Sequence, residues 1–339
     1  MEISTVSETV TPNDFPIQRS MPRSEAEIME NWRSVSGQPL VSICCATFNH
    51  VEYIEDALRG FLAQVTTFPY EIVIRDDAST DGTAGIVENY VQRYPRIIRS
   101  VCNSENRFCK GERASHVWPS IARGDYFAFC EGDDFWIIPD KLQKQVDLLE
   151  RHPDAVLVGA EFYWCRQDDD GLHLLRKGGE TDDKTELVFH NQYFHTATIV
   201  VRANVFRKMV EEHLAGHTEY HDKLMLAILI LSGPFAALSE VASVYRMTGR
   251  GTWTSLDHEA QLKWEIAVSR RFGKRLPGRQ GRDQRGNAFR YSARLLAHYA
   301  KHRQVVAFIR TAPVALWYGI LSAPDYFNRR ILGTRDDSL

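Results

Sequence analysis

Long hydrophobic runs are missing from this chain. No window offers about 18 uninterrupted apolar residues, the length a membrane-crossing helix needs, and the best candidate, residues 305–324, contains Arg310 and two prolines. The opening MEISTVSETVTPNDFPIQRS has no basic segment followed by an apolar one, so no secretory signal is expected there. Cysteine is scarce and poorly spaced for chemistry. The six residues Cys44, Cys45, Cys102, Cys109, Cys130 and Cys165 form no C-x-x-C pair, which disfavours zinc modules and disulfide exchange. Cys44, Cys45 and Cys130 lie inside apolar, strand-like runs and read as buried free thiols of a reducing compartment. Neither G-x-G-x-x-G nor G-x-x-x-x-G-K-[ST] occurs, which excludes the usual dinucleotide and P-loop sites. Charge excess is small, with a formal net charge of −3 over 339 residues, so nothing global marks a nucleic-acid partner. There is no internal repeat and no low-complexity tract. A cytoplasmic chain without a nucleic-acid partner is expected.

What is present is a regular alternation. Residues 1–37 are polar and without sustained periodicity, and read as a flexible leader with a short helix near Ser24–Trp32. From Leu40, apolar runs of strand length (40–46, 70–76, 97–102 and 125–130) alternate with helical spacings (52–64, 82–95, 113–123 and 141–153). Strands apolar on both faces and separated by helices predict an α/β fold with a mostly parallel sheet sandwiched by helices. Beyond Pro153 two more strands are expected at 155–166 and 197–203, around the polar Asp168–Gly171 turn. Helices follow at 204–214 and 222–233, and short strands at 235–238 and 241–246. Three regions result: the leader at 1–37, the α/β domain at 38–254, and a basic helical extension at 255–339.

Ligands bind such sheets at the carboxyl ends of the strands, and the polar clusters fall there. Thr47-Phe48-Asn49 follows the first strand and Asp76-Asp77 the second; Glu131-Gly132-Asp133-Asp134 follows the fourth. Ser, Thr, Asp and Gly after Asp77 also suit an ordinary capped turn, and the acids from Glu131 could be a solvated loop before the next helix. The sharper reading is that a carboxylate pair spaced by one glycine converges on a divalent ion that bridges a diphosphate, with Gly132 permitting the turn.

The stretches VSICCATFNHVEYIEDAL, EIVIRDDASTDGT and ARGDYFAFCEGDDFWIIPDKLQKQ, in that order and spacing, resemble the family 2 glycosyltransferases with the GT-A fold. The resemblance covers roughly residues 39–255. It implies transfer of a sugar from a nucleotide-diphosphate sugar (UDP-, GDP- or dTDP-linked), usually with inversion and with Mg²⁺ or Mn²⁺. It places Glu131-Gly132-Asp133 at the family's D-x-D motif, with Asp133 as metal ligand and Glu131 towards metal, ribose or donor sugar. Thr47, Phe48 and Asn49 fall in the first nucleotide loop, and Asp76 and Asp77 match the nucleotide-binding aspartates. Lys110 and Arg113 precede the helix before the metal motif and could face the pyrophosphate. Asp222 matches the acid that takes the acceptor proton, with Glu219 as its alternate, and His195 and Thr196 match the entry to the acceptor site. The family often continues Tyr-Arg as Y-R-x-H. Here Tyr245-Arg246 leads to Thr248, so water, His258 or another group would complete the metal shell. The processive Q-x-x-R-W signature is missing, which favours single-sugar transfer.

Between Arg270 and Arg294 nine Lys or Arg residues stand against Asp283 alone, followed by the aromatic and apolar 305–324 segment. A solvated helical face is the plain reading. The sharper one is peripheral contact with the cytoplasmic face of the inner membrane, which suits a carbohydrate or glycolipid acceptor in surface-polysaccharide assembly. Two other classes compete: a catalytically degenerate nucleotide-sugar binding scaffold, and a sugar nucleotidyltransferase. The second usually has a glycine-rich basic loop after its first strand, and Thr47–His50 contains neither glycine nor Lys/Arg.

Overall fold

The computed structural model describes residues 8–15, 22–33, 37–178, 194–214, 222, 225–226, 228–229, 232–251, 255–275 and 278–331. The chain divides into two compact units, Met1–Thr248 and Gly249–Leu339.

The first unit is built on β2 (Val41–Thr47), β3 (Tyr70–Asp76), β4 (Ile98–Cys102) and β5 (Tyr126–Phe129), which run parallel in the order β5-β2-β3-β4. All of β3 and β5 and nearly all of β2 are buried, as continuous apolar runs require when helices cover both faces. The Ile54–Leu62 helix presents Ala57, Leu58, Phe61 and Leu62 to this core. The next helix, Thr83–Arg93, stops just before Pro95, while Asp81 accepts the Thr83 N–H at 3.0 Å at its start.

The second half departs from the parallel pattern. β7 (Leu157–Asp168) turns at residues 169–170 into β8 (Gly171–Gly178), forming an antiparallel hairpin. β9 (Val200–Arg202) joins β5 to β7, antiparallel to both. The two short strands expected at 235–238 and 241–246 are one 13-residue strand, β10 (Phe235–Met247), parallel to β7. Its register shifts between Leu238 and Val241, where Ser239-Glu240 interrupts the apolar run; those polar residues mark a bulge, not a strand end. β10 also carries the two-residue β6 (Phe135–Trp136) antiparallel at Val244 and Ser243.

The leader contributes a strand that its composition hides and a helix within the expected Ser24–Trp32 stretch. Glu8–Val10 forms β1, pairing antiparallel with β8. Glu25–Met29 is a helix opened by a Ser24–Glu27 capping box, and its buried Ile28 joins the main core.

Among the described residues, the second unit holds three helices, His258–Arg275, Gly278–Lys301 and Val305–Ile331. Leu262, Ile266, Leu295 and Tyr299 form a small apolar cluster. Among the described residues, no helix is long and apolar enough to cross a membrane.

Candidate active site

The carboxyl ends of β2, β3 and β5 lie side by side, and backbone bonds lock their loops together. Thr47 is in register with Asp76, the Asp77 N–H donates to the Thr47 carbonyl at 3.0 Å, and the Gly132 N–H donates to the Ala46 carbonyl at 2.9 Å. The loops after β2 and β3 interlock further. Asn49 N–H donates to Ser79 Oγ at 2.8 Å, and Asn49 Oδ1 accepts from the Thr80 N–H at 2.8 Å. The Val51 N–H donates to Asp81 at 2.9 Å. Asn49 and Ala78 hold left-handed backbone, with φ of 55° and 65°. Asn tolerates this; Ala pays roughly 1 kcal/mol for it. Phe48 projects from this frame, 41% exposed.

Asp76 and Asp77 are both buried and both engaged. Asp76 accepts from the Ser79 N–H at 3.0 Å and from Ser79 Oγ at 2.5 Å. Asp77 accepts from Asn103 Nδ2 at 2.7 Å and from the N–H groups of Arg107 and Phe108 at 3.0 and 2.9 Å. Burial pushes the Asp77 carboxyl up, but those donors, with Arg75 nearby, outweigh it and hold the group below its ordinary range. The pair therefore organises the loops that follow β2 and β3, with Asp77 anchoring residues 103–108.

Gly132 is needed for space. It is not among the residues with positive φ, but a Cβ there would meet Thr47 Oγ1 at 2.8 Å and Ile54 Cδ1 at 2.9 Å. The acidic turn is thus pressed against β2, so its flanking acids have fixed positions. Arg246, 1% exposed, secures it from below. Its backbone N–H donates to Asp134 Oδ1 at 2.8 Å, and its guanidinium donates to the Asp133 carbonyl at 3.0 Å and to Asp56 Oδ2 at 2.6 Å.

Glu131 accepts from Thr196 Oγ1 at 2.8 Å. His195 Nδ1 lies 3.4 Å from Asp134 Oδ2 and accepts from the Ala197 N–H at 3.3 Å, and its ring stacks on Tyr245 with centroids 4.1 Å apart. Ligand atoms of Glu131, Asp134 and His195 all fall within 4.8 Å of one another. Asp133 instead points its carboxylate towards His50, with Nε2 to Oδ2 at 3.8 Å. The expected pair Glu131 and Asp133 thus flanks one turn, while the tightest donor cluster joins Glu131 to Asp134 and His195.

The electrostatics of this cluster are unbalanced. Burial, then the charges of Asp222 and Asp133, push Glu131 up to about 8 against the Thr196 hydrogen bond. Asp134 is raised well above the ordinary range by burial and by Asp133 and Glu131, against the opposing pull of Arg246. Burial alone lowers His195 to about 3, so the imidazole is neutral. Hard oxygen donors with one neutral imidazole nitrogen, whose repulsion Arg246 offsets only in part, are a donor set that suits a divalent ion. The residues present fit the group the family implies.

Asp222 is exposed, and its charge is felt at Glu131, Arg113 and Tyr245. Glu219 lies outside the described residues. Arg113 stacks over Phe108 at 3.8 Å and donates to the Phe108 carbonyl at 3.0 Å. Burial lowers its pKa, and Asp222 counters that. Lys110 is paired with Glu105 at the surface. His258 belongs to the second unit, beside His298. The anchoring role of Arg246 and the closeness of His195 to Asp134 are not legible in the sequence. The only available signal was the Tyr245-Arg246 pair.

Known proteins bear on this arrangement. The profile of glycosyl transferase family 2 matches residues 42–214, half of the chain. The chain therefore belongs to that family, and its architecture is the GT-A fold. An uncharacterised Mycobacterium tuberculosis protein is 32% identical over 228 residues, 66% of this chain and 64% of that one. This chain thus spans a little under two thirds of that relative's length. The Escherichia coli enzyme WfaP, a UDP-Glc:alpha-D-GlcNAc-diphosphoundecaprenol beta-1,3-glucosyltransferase, is 35% identical over 130 residues, 38% of this chain and 48% of its own. Among solved structures, the mannosyltransferase PcManGT from Pyrobaculum calidifontis, in complex with GDP-Man and Mn²⁺, superposes with a TM-score of 0.50 at 18% identity. The match covers 90% of this chain and 94% of that one.

Proposed function

We propose that the protein is an inverting, metal-dependent glycosyltransferase. It would move one sugar from a nucleotide-diphosphate sugar to a hydroxyl of a carbohydrate or glycolipid acceptor, in the assembly of cell-surface polysaccharide or glycolipid. The observation that carries this reading is the crowding of Glu131, Asp133 and Asp134 after β5, with the charge of Asp222 also felt at Glu131, so that burial and mutual repulsion raise Glu131 and Asp134 despite the pull of Arg246. A diphosphate-bound divalent ion would supply the opposing charge. The names of WfaP and PcManGT support a nucleotide-sugar donor, and the first also supports a lipid-linked acceptor.

In this reading Thr47, Phe48 and Asn49, with the loops braced by Asp76 and Asp77, receive the nucleoside, and Phe48 offers a face for base stacking. Glu131, Asp133, Asp134 and His195 would hold the Mg²⁺ or Mn²⁺ ion, with His195 providing the nitrogen that Thr248 does not. When bound, the ion neutralises the departing diphosphate. Lys110 and Arg113 stand towards the pyrophosphate side. Asp222 takes the proton of the acceptor hydroxyl as its oxygen bonds to the anomeric carbon. The bond from that carbon to the diphosphate oxygen breaks on the opposite face, inverting the centre. His195 and Thr196 line the acceptor entry, where the neutral imidazole is held flat against Tyr245.

The test is a thermal-shift panel of UDP, GDP and dTDP with and without Mn²⁺, on wild type, Asp133→Asn and Asp222→Asn, followed by a transfer assay with the donor it identifies. A ligand at 100 times its Kd stabilises by about 2.7 kcal/mol. The expected result is a metal-dependent shift with one nucleotide, lost in Asp133→Asn and retained in Asp222→Asn, with transfer lost in both. Nucleotide binding without transfer by the wild type would favour the scaffold reading. Release of pyrophosphate from a sugar phosphate and a nucleoside triphosphate would favour the nucleotidyltransferase.

A further inference from the structure

The second unit carries an apolar strip on its solvent side. Ten large apolar side chains are exposed among the described residues, and six of them, Val305, Val306, Phe308, Ile309, Leu316 and Trp317, fall within 13 residues of the Val305–Ile331 helix. Five of the six are at least 60% exposed. At about 100° per residue, Val305, Ile309 and Leu316 lie within about 40° of one another. Pro313, Val306 and Trp317 extend the same strip to about 120°. Ala315 and Tyr318, on the opposite side, are buried. A helix packed on one face ordinarily shows polar residues on the other; this one shows valine, isoleucine, leucine and tryptophan. Scattered exposed apolar residues need no explanation, but a contiguous strip marks a contact surface.

Charge decides what covers it. Between residues 266 and 324 the sequence holds twelve Lys or Arg residues and a single acid, Asp283. Lys301, Arg303 and Arg310, which bracket the strip, are exposed. A second copy would bring this positive field against itself. An anionic lipid surface would neutralise it and take up the apolar side chains. The helix cannot cross a bilayer, which leaves an orientation along the surface.

We propose that the Val305–Trp317 face is a peripheral docking surface for an anionic lipid bilayer, with Leu316 and Trp317 entering the headgroup–acyl boundary and Lys301, Arg303 and Arg310 meeting the headgroups. This surface lies wholly within the second unit and does not depend on the transferase reading. Nucleotide binding by the first unit is therefore a separate readout, and either reading can fail without the other.

The test is flotation of the full chain with vesicles of phosphatidylcholine alone or mixed with phosphatidylglycerol. Wild type should float with the anionic vesicles, less as salt is raised, and remain behind with the neutral ones. The substitutions Ile309→Ser, Leu316→Ser and Trp317→Ser together should weaken partitioning by more than about tenfold, with the nucleotide-induced thermal shift unchanged. A second variant, Arg303→Glu with Arg310→Glu, should weaken it through charge while keeping every apolar contact. Lipids brominated on the acyl chain should quench tryptophan emission, and Trp317→Phe should remove that quenching while still floating. The proposal is overturned if wild type does not float, if the serine variant floats equally well, or if bromolipid quenching survives in Trp317→Phe. It is also overturned if sedimentation shows a dimer that the serine variant dissolves, since the strip would then be a self-association face.

Discussion

Glu131→Gln isolates the charge problem at the centre of the site. The substitution keeps the shape of the side chain and can still accept the Thr196 hydrogen bond through its amide oxygen, but it removes one titrating carboxyl. In the folded protein without metal, burial and then the Asp222 and Asp133 charges push Glu131 from the ordinary 4.5 to about 8. A carboxyl raised on folding contributes stability that is fully present below its unfolded pKa and is lost as pH rises through its folded one. Between those limits the folded state holds one proton that the unfolded state has released, so unfolding free energy falls by about 1.4 kcal/mol per pH unit. From pH 5.5 to 7.5 this one group should cost roughly 2.5 kcal/mol. Asp134 adds a slope of the same sign, so the difference between wild type and variant is the quantity to read. Urea unfolding followed by tryptophan emission in the presence of a chelator should show wild type losing stability across this range. Glu131→Gln should lose about that much less. Adding Mn²⁺ should reverse the trend in wild type, because ligation requires the carboxylate and displaces the proton. Parallel pH profiles for wild type and variant would refute the account of Glu131 as a buried acid short of countercharge.

Asp222→Asn should lower the transfer rate by about 10²–10⁴-fold while leaving the dissociation constant for the donor nucleotide, measured by calorimetry, essentially unchanged. Arg246→Gln removes a buried guanidinium from Asp56 and from the Asp133 carbonyl. It should destabilise by roughly 3–5 kcal/mol, seen as a lower urea midpoint, and weaken metal-dependent nucleotide binding because the acidic turn loses its support. Gly132→Ala places a methyl group against Thr47 and Ile54. Relief of that overlap should cost about 1–3 kcal/mol, and Mn²⁺ affinity should fall even where the protein remains folded, as calorimetry would show.

What could be read from the sequence was what local pattern determines. Continuous apolar runs at 40–46, 70–76 and 125–130 read as strands covered on both sides, with the polar residues that follow them at their carboxyl ends. Thr47, Asp76 and Glu131 were therefore legible as neighbours before any coordinates. The pairing of His195 with Asp134 was not legible. Those residues are 61 positions apart and meet because β9 inserts between β5 and β7, an antiparallel step that no local period announces. The same holds for Arg246, whose role exists only because β10 returns along β7 and carries β6 against it. Leader strand β1 went unread because three residues, Glu8 to Val10, are too few for a period and acquire meaning only against β8. Asp77 shows a different limit: its position was readable, but its partners, Asn103 and the amides of Arg107 and Phe108, come from a loop with no periodicity. Local chemistry thus located the carboxylates, while long-range strand order decided which are neutralised and which are left to bind. Asp77 has three hydrogen-bond donors and the Arg75 charge around it and falls below its ordinary range, whereas Glu131 has one side-chain donor, Thr196, and rises above it. That contrast between two acids at the ends of nearby strands, one completed by the protein and one not, is the physical basis for proposing the cation at Glu131 and not at Asp77.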